Sequence, residues 1–301
     1  MRVLVTGGTG FVGSALLPYL VEQGHTVRLL VRPVERKRPA LQGVEIVEGH
    51  PMQEGPWWKA LDGCEAAVNL AGAPIFRRWN PRAKALIRDS RIATTRNLVN
   101  ALKGRRGFTL VSTSAVGIYG NAGERELDES APAGTDFLAR LAADWEAEAL
   151  KARSEGVRVV VTRFAIVLGQ GGGALEKLAL ATRLFLGGPI ASGRQWFSWI
   201  HREDLVRAVL FALESPGLEG PVNLSAPNPV RQAELARTLG KVLQRPALLW
   251  APALAVRLVL GEFADTVLFS QRMVPRRLRE AGFAFRYPEL EQALRDILKR
   301  S

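Results

Sequence analysis

Apolar and polar positions follow two patterns in the first half of the chain. Short runs dominated by apolar and β-branched residues occupy 2–6, 26–31, 44–48, 66–71, 108–112 and 157–164. Runs of that length predict strands. Between them, apolar residues recur at helical spacing. In 14–23 they are Ala15, Leu16, Tyr19 and Leu20, and Gly24 closes the helix. A short helical segment covers 57–61. A long helix covers 81–102, with Asn80 as its cap and Pro81 in its first turn. Thr135 or Asp136 caps another helix through Arg153. Strands this uniformly apolar, alternating with helices, predict a doubly wound α/β fold with a parallel sheet covered on both faces.

After about Gly169 the pattern changes. Gly171-Gly172-Gly173 and Gly187-Gly188-Pro189 bracket a helix, and 196–201 reads as extended. Helices are expected over 203–213, 232–243, 252–260 and 288–299, with a short strand at 222–224. The expected division is a sheet domain over 1–168, completed by a strand from 220–225, and a smaller C-terminal substrate lobe over 169–301. No linker separates them. The apolar face of 248–260 is expected to be core or a subunit contact.

Composition narrows the function classes. The chain has 301 residues, 47% hydrophobic and 23% charged, which is ordinary for a globular protein. The net charge is +12, of which 1–150 carries +3 and 151–301 carries +9. The densest basic cluster, Arg276, Arg277 and Arg279, is not interleaved with aromatic residues, so no nucleic-acid partner is expected. The basic second half leans toward an anionic small-molecule substrate. Cys64 is the sole cysteine, and His25, His50 and His201 lie far apart, so neither a disulfide nor a metal site is expected. The N-terminal apolar run is short for a signal peptide, and 246–256 is short for a membrane span. A cytoplasmic protein without a membrane partner is the expectation. The oligomeric state, monomer or homodimer, is left open.

Chemistry enters at Thr6-Gly7-Gly8-Thr9-Gly10-Phe11-Val12-Gly13. This glycine loop follows a strand and opens a helix. Glycines let a dinucleotide pyrophosphate approach the backbone, and the helix N-terminus offers N–H groups and a positive dipole end. A Rossmann-type sheet follows from that context, with Gly7, Thr9, Gly10, Phe11, Val12 and Gly13 beside the cofactor. The next strand ends in Arg32, where an NAD site would carry an acid. An arginine there suits the 2′-phosphate of NADP(H), and Arg36, Lys37 and Arg38 add positive potential. The alternative is a solvated charged loop.

Four segments in order then resemble the extended or atypical short-chain dehydrogenase/reductase superfamily. They are the glycine loop, Asn69-Leu70-Ala71-Gly72-Ala73, Ser112-Thr113-Ser114-Ala115 with Tyr119-Gly120, and Arg163. Further segments resemble the branch called epimerase family protein, which is NAD-dependent epimerase/dehydratase-like with a C-terminal domain of unknown function. These are Arg78-Trp79, Arg88-Asp89-Ser90-Arg91-Ile92 and Gly193-Arg194-Gln195-Trp196 through Trp199-Ile200-His201. The resemblance implies that Asn69, Leu70, Ala71, Gly72 and Ser112 line the cofactor. It aligns Ser114 with the catalytic serine. Arg78, Trp79, Arg194, Gln195, Trp196 and His201 are candidates for the substrate cleft. The alternative for 189–201 is a loop pinned by core tryptophans.

One departure bears on activity. Typical members carry Tyr-x-x-x-Lys on the helix after the fifth strand, so that lysine lowers the phenol pKa. Here Tyr19, Tyr119 and Tyr287 are followed four residues on by Gln23, Gly123 and Glu291. Asp136, Tyr119, His201 and Arg78 are the candidate substitutes. The expected function is therefore an NADP(H)-dependent oxidoreductase or sugar-nucleotide-epimerase-like enzyme acting on a small polar substrate. The alternative is a non-catalytic NADP(H)-binding sensor or assembly factor.

Overall fold

A computed structural model describes residues 1–33 and 42–299. β1 (Arg2–Thr6) carries Val3, Leu4 and Val5, all fully buried. A strand with no exposed face is what a sheet layered by helices on both sides requires. α1 (Gly13–Glu22), β2 (Thr26–Val31), β3 (Val44–Glu48) and β4 (Ala66–Asn69) follow. α2 (Pro81–Ala101) starts at Asn80, whose side chain accepts from the Ala83 N–H. Then come β5 (Thr109–Ala115), the short β6 (Glu126–Leu127), α3 (Phe137–Leu150) and β7 (Arg158–Phe164).

The second part opens with β8 (Ile166–Leu168), α4 (Gly173–Arg183), β9 (Trp196–Phe197), β10 (Trp199–His201) and α5 (Arg202–Glu214). It continues through β11 (Gly220–Leu224), β12 (Val230–Arg231), α6 (Gln232–Leu243), α7 (Ala253–Leu260) and α8 (Ala264–Leu268). β13 (Arg272–Met273), α9 (Arg276–Glu280) and α10 (Leu290–Lys299) end it.

The central sheet runs β11-β7-β5-β4-β1-β2-β3, and each neighbouring pair is parallel. The chain steps outward from β1 in one direction and from β4 in the other. Ligands of such sheets bind at the carboxyl ends of the strands where the order reverses, here between β1 and β4. The main core sits under α1 and α5, where Leu16, Leu20, Leu205 and Val209 meet Val5, Val160 and Val222. A smaller core joins Leu175, Trp199, Leu235 and Leu294.

Several elements differ from the sequence expectation. β5 runs three residues past Ser112 because β7 pairs with it there, Ser114 opposite Arg163. β4 stops at Asn69, where the side-chain oxygen takes the Ala71 N–H and turns the chain. The helix expected through Arg153 ends at Leu150 and tightens into a 3₁₀ turn over Lys151–Glu155. The extended 196–201 segment is two strands divided at Ser198. α7 was expected to be core or a subunit contact. It has no buried residue, so the core half of that expectation is corrected.

Candidate functional site

The β1–α1 loop is built from contacts that exclude side chains. Gly7 has φ +70°, and a Cβ on it would lie 2.7 Å from the Leu70 carbonyl. A Cβ on Gly13 would lie 2.4 Å from the Gly8 Cα. Both positions therefore bring backbone against backbone. Val12 stands in the cap position of α1 without a side-chain hydrogen bond, and the first turn holds no acid. Thr9 and Gly10 beside it are exposed. An uncapped, uncompensated helix start next to glycines is a fitting seat for a pyrophosphate. Phe11 turns from this loop toward the second part of the chain. Its ring rests on Gly172 and Gly173, and the Arg202 guanidinium lies 5.0 Å from its centre.

Arg32 is exposed and leaves β2 two residues after Leu30, the partner of Thr6. It thus emerges beside the glycine loop. Arg36, Lys37 and Arg38 lie outside the described residues.

Asn69 is fully buried beneath the turn that follows β4. It accepts from Thr6 Oγ1 at 2.7 Å and donates to Thr95 Oγ1 at 2.9 Å. This fixes the turn through Leu70, Ala71 and Gly72. Under that turn lies Arg91, which sequence reasoning quoted within a motif but gave no role. A Cβ on Gly72 would sit 3.1 Å from its guanidinium carbon. Arg91 donates to the carbonyls of Ala73 and Ile87 and lies 5.3 Å from the Trp145 ring. Burial pushes its pKa down to about 10. The signal was available: Ile87, Arg91 and Thr95 are four residues apart, and a basic residue on an otherwise buried helix face needs a reason.

The end of β5 presents hydroxyls of two kinds. The side-chain oxygens of Ser112 and Thr113 are buried and have no partner among the described residues. Ser114 donates to Glu146 Oε1 at 2.6 Å and is 1% exposed. Glu146, on the buried face of α3, also receives two bonds from Arg163, both 2.8 Å. Arg163 donates further to the Tyr119 hydroxyl at 2.9 Å, and Tyr119 donates to Asn223 Oδ1 at 2.7 Å. Ser114 is thus one end of a closed buried network.

That network bears on the missing dyad. Burial pushes the Tyr119 phenol up to about 12, against the pull of Arg163. Desolvation opposes the Arg163 charge, but its hydrogen bonds to Glu146 outweigh it and the pKa is raised. Tyr119 is a structural donor in this arrangement and not a base near neutral pH. Asp136 caps α3, accepting from Leu138 N at 2.9 Å and Ala139 N at 3.2 Å.

The substrate candidates separate into three groups. Arg78 and Trp79 pack against the turn after α7: the Trp79 ring is 5.7 Å from Phe263, and a Cβ on Gly261 would be 3.7 Å from Arg78 Nε. Trp196 donates to Glu124 at 3.0 Å, with Arg231 at 3.8 Å and Arg272 at 4.9 Å from its ring. The Trp196 ring, a substrate-cleft candidate, is thus covered by the protein's own guanidiniums. Hydrogen bonds from Arg231 and Trp196 hold the Glu124 carboxyl down to about 2. Gln195 is buried and braces the loop, donating to the Ile190 carbonyl at 3.0 Å, while Arg194 is exposed and its carbonyl accepts from Arg231. His201 sits elsewhere. Its Nδ1 accepts the Glu203 N–H, capping α5, and its ring stacks on Tyr287 at 3.9 Å near Asp296. Among the described residues, no cluster of His, Cys, Asp and Glu has metal-site geometry.

Comparisons with known proteins agree with this geometry. The model of the NAD dependent epimerase/dehydratase family matches residues 3–224, and that of a domain of unknown function, DUF1731, matches 251–297. The chain is 42% identical to the chloroplastic epimerase family protein SDR39U1 homolog of Arabidopsis thaliana, over 99% of this chain and 87% of that one. It is 41% identical to epimerase family protein Mb2239 of Mycobacterium bovis, over 97% and 96%. The crystal structure of human epimerase family protein SDR39U1 with NADPH superimposes with a TM-score of 0.87 at 37% identity, covering all of both chains.

Proposed function

Because the chain belongs to the NAD dependent epimerase/dehydratase family, we propose that it binds NADP(H) along the carboxyl edge of β1, β2 and β4 and exchanges hydride with a small polar substrate, as an oxidoreductase or an epimerase-like enzyme. The observation that carries the reading is the start of α1, where backbone meets backbone at Gly7 and Gly13 and the Val12 cap position has no side-chain hydrogen bond among the described residues. The human relative, crystallised with NADPH, supports it. Arg32 would take the 2′-phosphate. Leu70, Ala71 and Gly72 would line the adenosine side, held by Asn69 from below.

The nicotinamide supplies the hydride chemistry when bound. The chain's own contribution lies at the end of β5 and under the Gly72 turn. Ser112 and Thr113 are consecutive in β5 and point to opposite faces of the sheet, so a polar ligand on the Ser112 side would satisfy that hydroxyl alone. Arg91 brings a positive charge that its carbonyl partners do not neutralise. Ser114 keeps its proton and directs its O–H to Glu146, so in this arrangement it would position the strand end and accept a hydrogen bond from a ligand.

Calorimetry tests the cofactor reading. NADPH should bind more tightly than NADH, and Arg32→Asp should weaken NADPH about tenfold while leaving NADH nearly unchanged, the loss of one charge-assisted contact. Equal affinities for the two would overturn the assignment.

A second reading, a non-catalytic NADP(H) sensor, is favoured by the state of the dyad substitutes. Tyr119 and Asp136 are both engaged structurally, and no lysine stands four residues after a tyrosine. NADPH oxidation measured against a panel of carbonyl compounds and nucleotide sugars separates the two. Binding without turnover of any of them supports the sensor.

A further inference from the structure

Thirteen large apolar side chains are exposed among the described residues, and ten of them fall within 180–186 and 248–259. The two segments form one surface. The Leu249 N–H donates to the Gly187 carbonyl at 3.0 Å, and the Ala251 N–H donates to that of Pro189 at 2.9 Å. Trp250 Nε1 reaches the Ala191 carbonyl at 2.5 Å, and the Arg245 guanidinium lies 5.3 Å from the Phe185 ring. Leu248 is 84% exposed, and Leu254 and Leu258 are each 70% exposed. α7 continues this surface and is held at both ends. The 187–191 segment pairs before it, and Phe263 after it packs 4.8 Å from Phe76. A gathered, anchored apolar face of this kind marks an interaction site, where scattered exposed leucines would not.

Charge decides the kind of partner. Segments 180–186 and 245–251 and α7 hold three arginines, Arg183, Arg245 and Arg257, and no Asp or Glu. Arg257 is paired with Asp265 of α8. Arg183 and Arg245 stand among the exposed leucines and Phe185. A second copy docked on the same face would bring like charges together, which disfavours association. An anionic lipid surface meets both properties. Its headgroup boundary accepts Trp and Leu, and its phosphates accept arginine.

We propose that this face, built from 180–186, 248–251 and α7, docks on an anionic lipid surface. Trp250 and the leucines of α7 enter the boundary between headgroups and acyl chains, and Arg183 and Arg245 lie at phosphate level. The shortness of the 246–256 apolar run excludes a span. It does not exclude a helix lying in the surface plane.

Vesicle co-sedimentation of the full chain tests this, with phosphatidylcholine vesicles against vesicles containing about a third phosphatidylglycerol. The expected result is retention on the anionic vesicles only, reduced by salt. Leu254→Asp with Leu258→Asp should abolish retention. Arg183→Glu and Arg245→Glu should each weaken it about fivefold or more, since a juxtamembrane charge contributes roughly that factor. All four positions are exposed, and unchanged thermal melting of each variant shows that the fold survives. No retention on anionic vesicles at low salt overturns the proposal. So does retention indifferent to the two leucine substitutions. A dimer seen by light scattering that Leu258→Asp dissolves, in a protein that ignores vesicles, assigns the face to a second copy.

Discussion

Glu146 is a carboxylate inside the protein, and Ser114 and Arg163 explain why it is tolerated there. Its side chain and that of Arg163 are each 8% exposed, so both charges have left water. Such a pair adds little net stability, but removing one partner leaves an uncompensated buried charge. Arg163→Leu is therefore expected to cost about 3–5 kcal/mol in urea unfolding, and Glu146→Leu with Arg163→Leu clearly less than the two single losses together. Ser114→Ala should cost about 1–2 kcal/mol by removing one hydrogen bond to the carboxylate. If Ser114 only positions the strand end, NADPH affinity in that variant stays unchanged while the unfolding midpoint falls. A full-stability variant with lost turnover would instead give Ser114 the catalytic role that its alignment implies. The sequence shows the serine and the arginine. It does not show that Glu146 joins them, because that contact needs α3 laid across β5 and β7.

At the scale of elements, α5 illustrates how a site candidate becomes a fold element. His201 is a substrate-cleft candidate in the sequence because it closes the segment that holds Arg194, Gln195 and Trp196. In the structure Ser198 divides the segment, and His201 caps α5 beneath Tyr287. Burial lowers its pKa, with Asp296, Asp204 and Glu203 pulling the other way. A histidine held neutral in the fold takes up a proton more readily when unfolded. Its contribution to stability is then complete above the unfolded pKa of about 6.5 and is lost as pH falls through that value toward the lower folded pKa. The melting temperature should drop between about pH 7.5 and about pH 5.5, and the drop should be smaller in His201→Asn, which keeps an acceptor for the cap. Glu129, whose pKa burial raises, works in the opposite direction but is common to both proteins. An equal pH dependence in wild type and variant would show that His201 does not carry it.

The whole molecule explains which part of the fold was legible in the sequence. β1, β2 and β4 were readable because their buried positions are almost all apolar, with Arg28 of β2 turned out to pair with Glu45, and the glycine loop because no other residue fits Gly7 or Gly13. Beyond residue 168 the helices α5, α6, α7 and α10 and strand β11 were legible too, but the short strands were not, since they pair across long separations: β12 with β9, and β13 with β6. Two-residue strands carry no periodicity to detect. The same interleaving governs stability. β11 and α5 come from beyond residue 168, yet β11 is the edge partner of β7, and Leu205, Val206, Val209, Leu210 and Leu213 lie in the main core. Each of these five side chains stabilises by roughly 1.5–3 kcal/mol when fully buried. Their combined loss is comparable to the whole net stability of a domain, about 5–15 kcal/mol. A truncation ending at residue 168 should therefore lack a cooperative thermal transition and elute as aggregate, with β7 left as an open edge. A truncation ending at residue 225 keeps β11 and α5 and should recover much of the transition by circular dichroism. If the shorter chain proves monomeric and melts cooperatively, the nucleotide-binding sheet is an independent domain and α5 is an accessory to it, not part of its core.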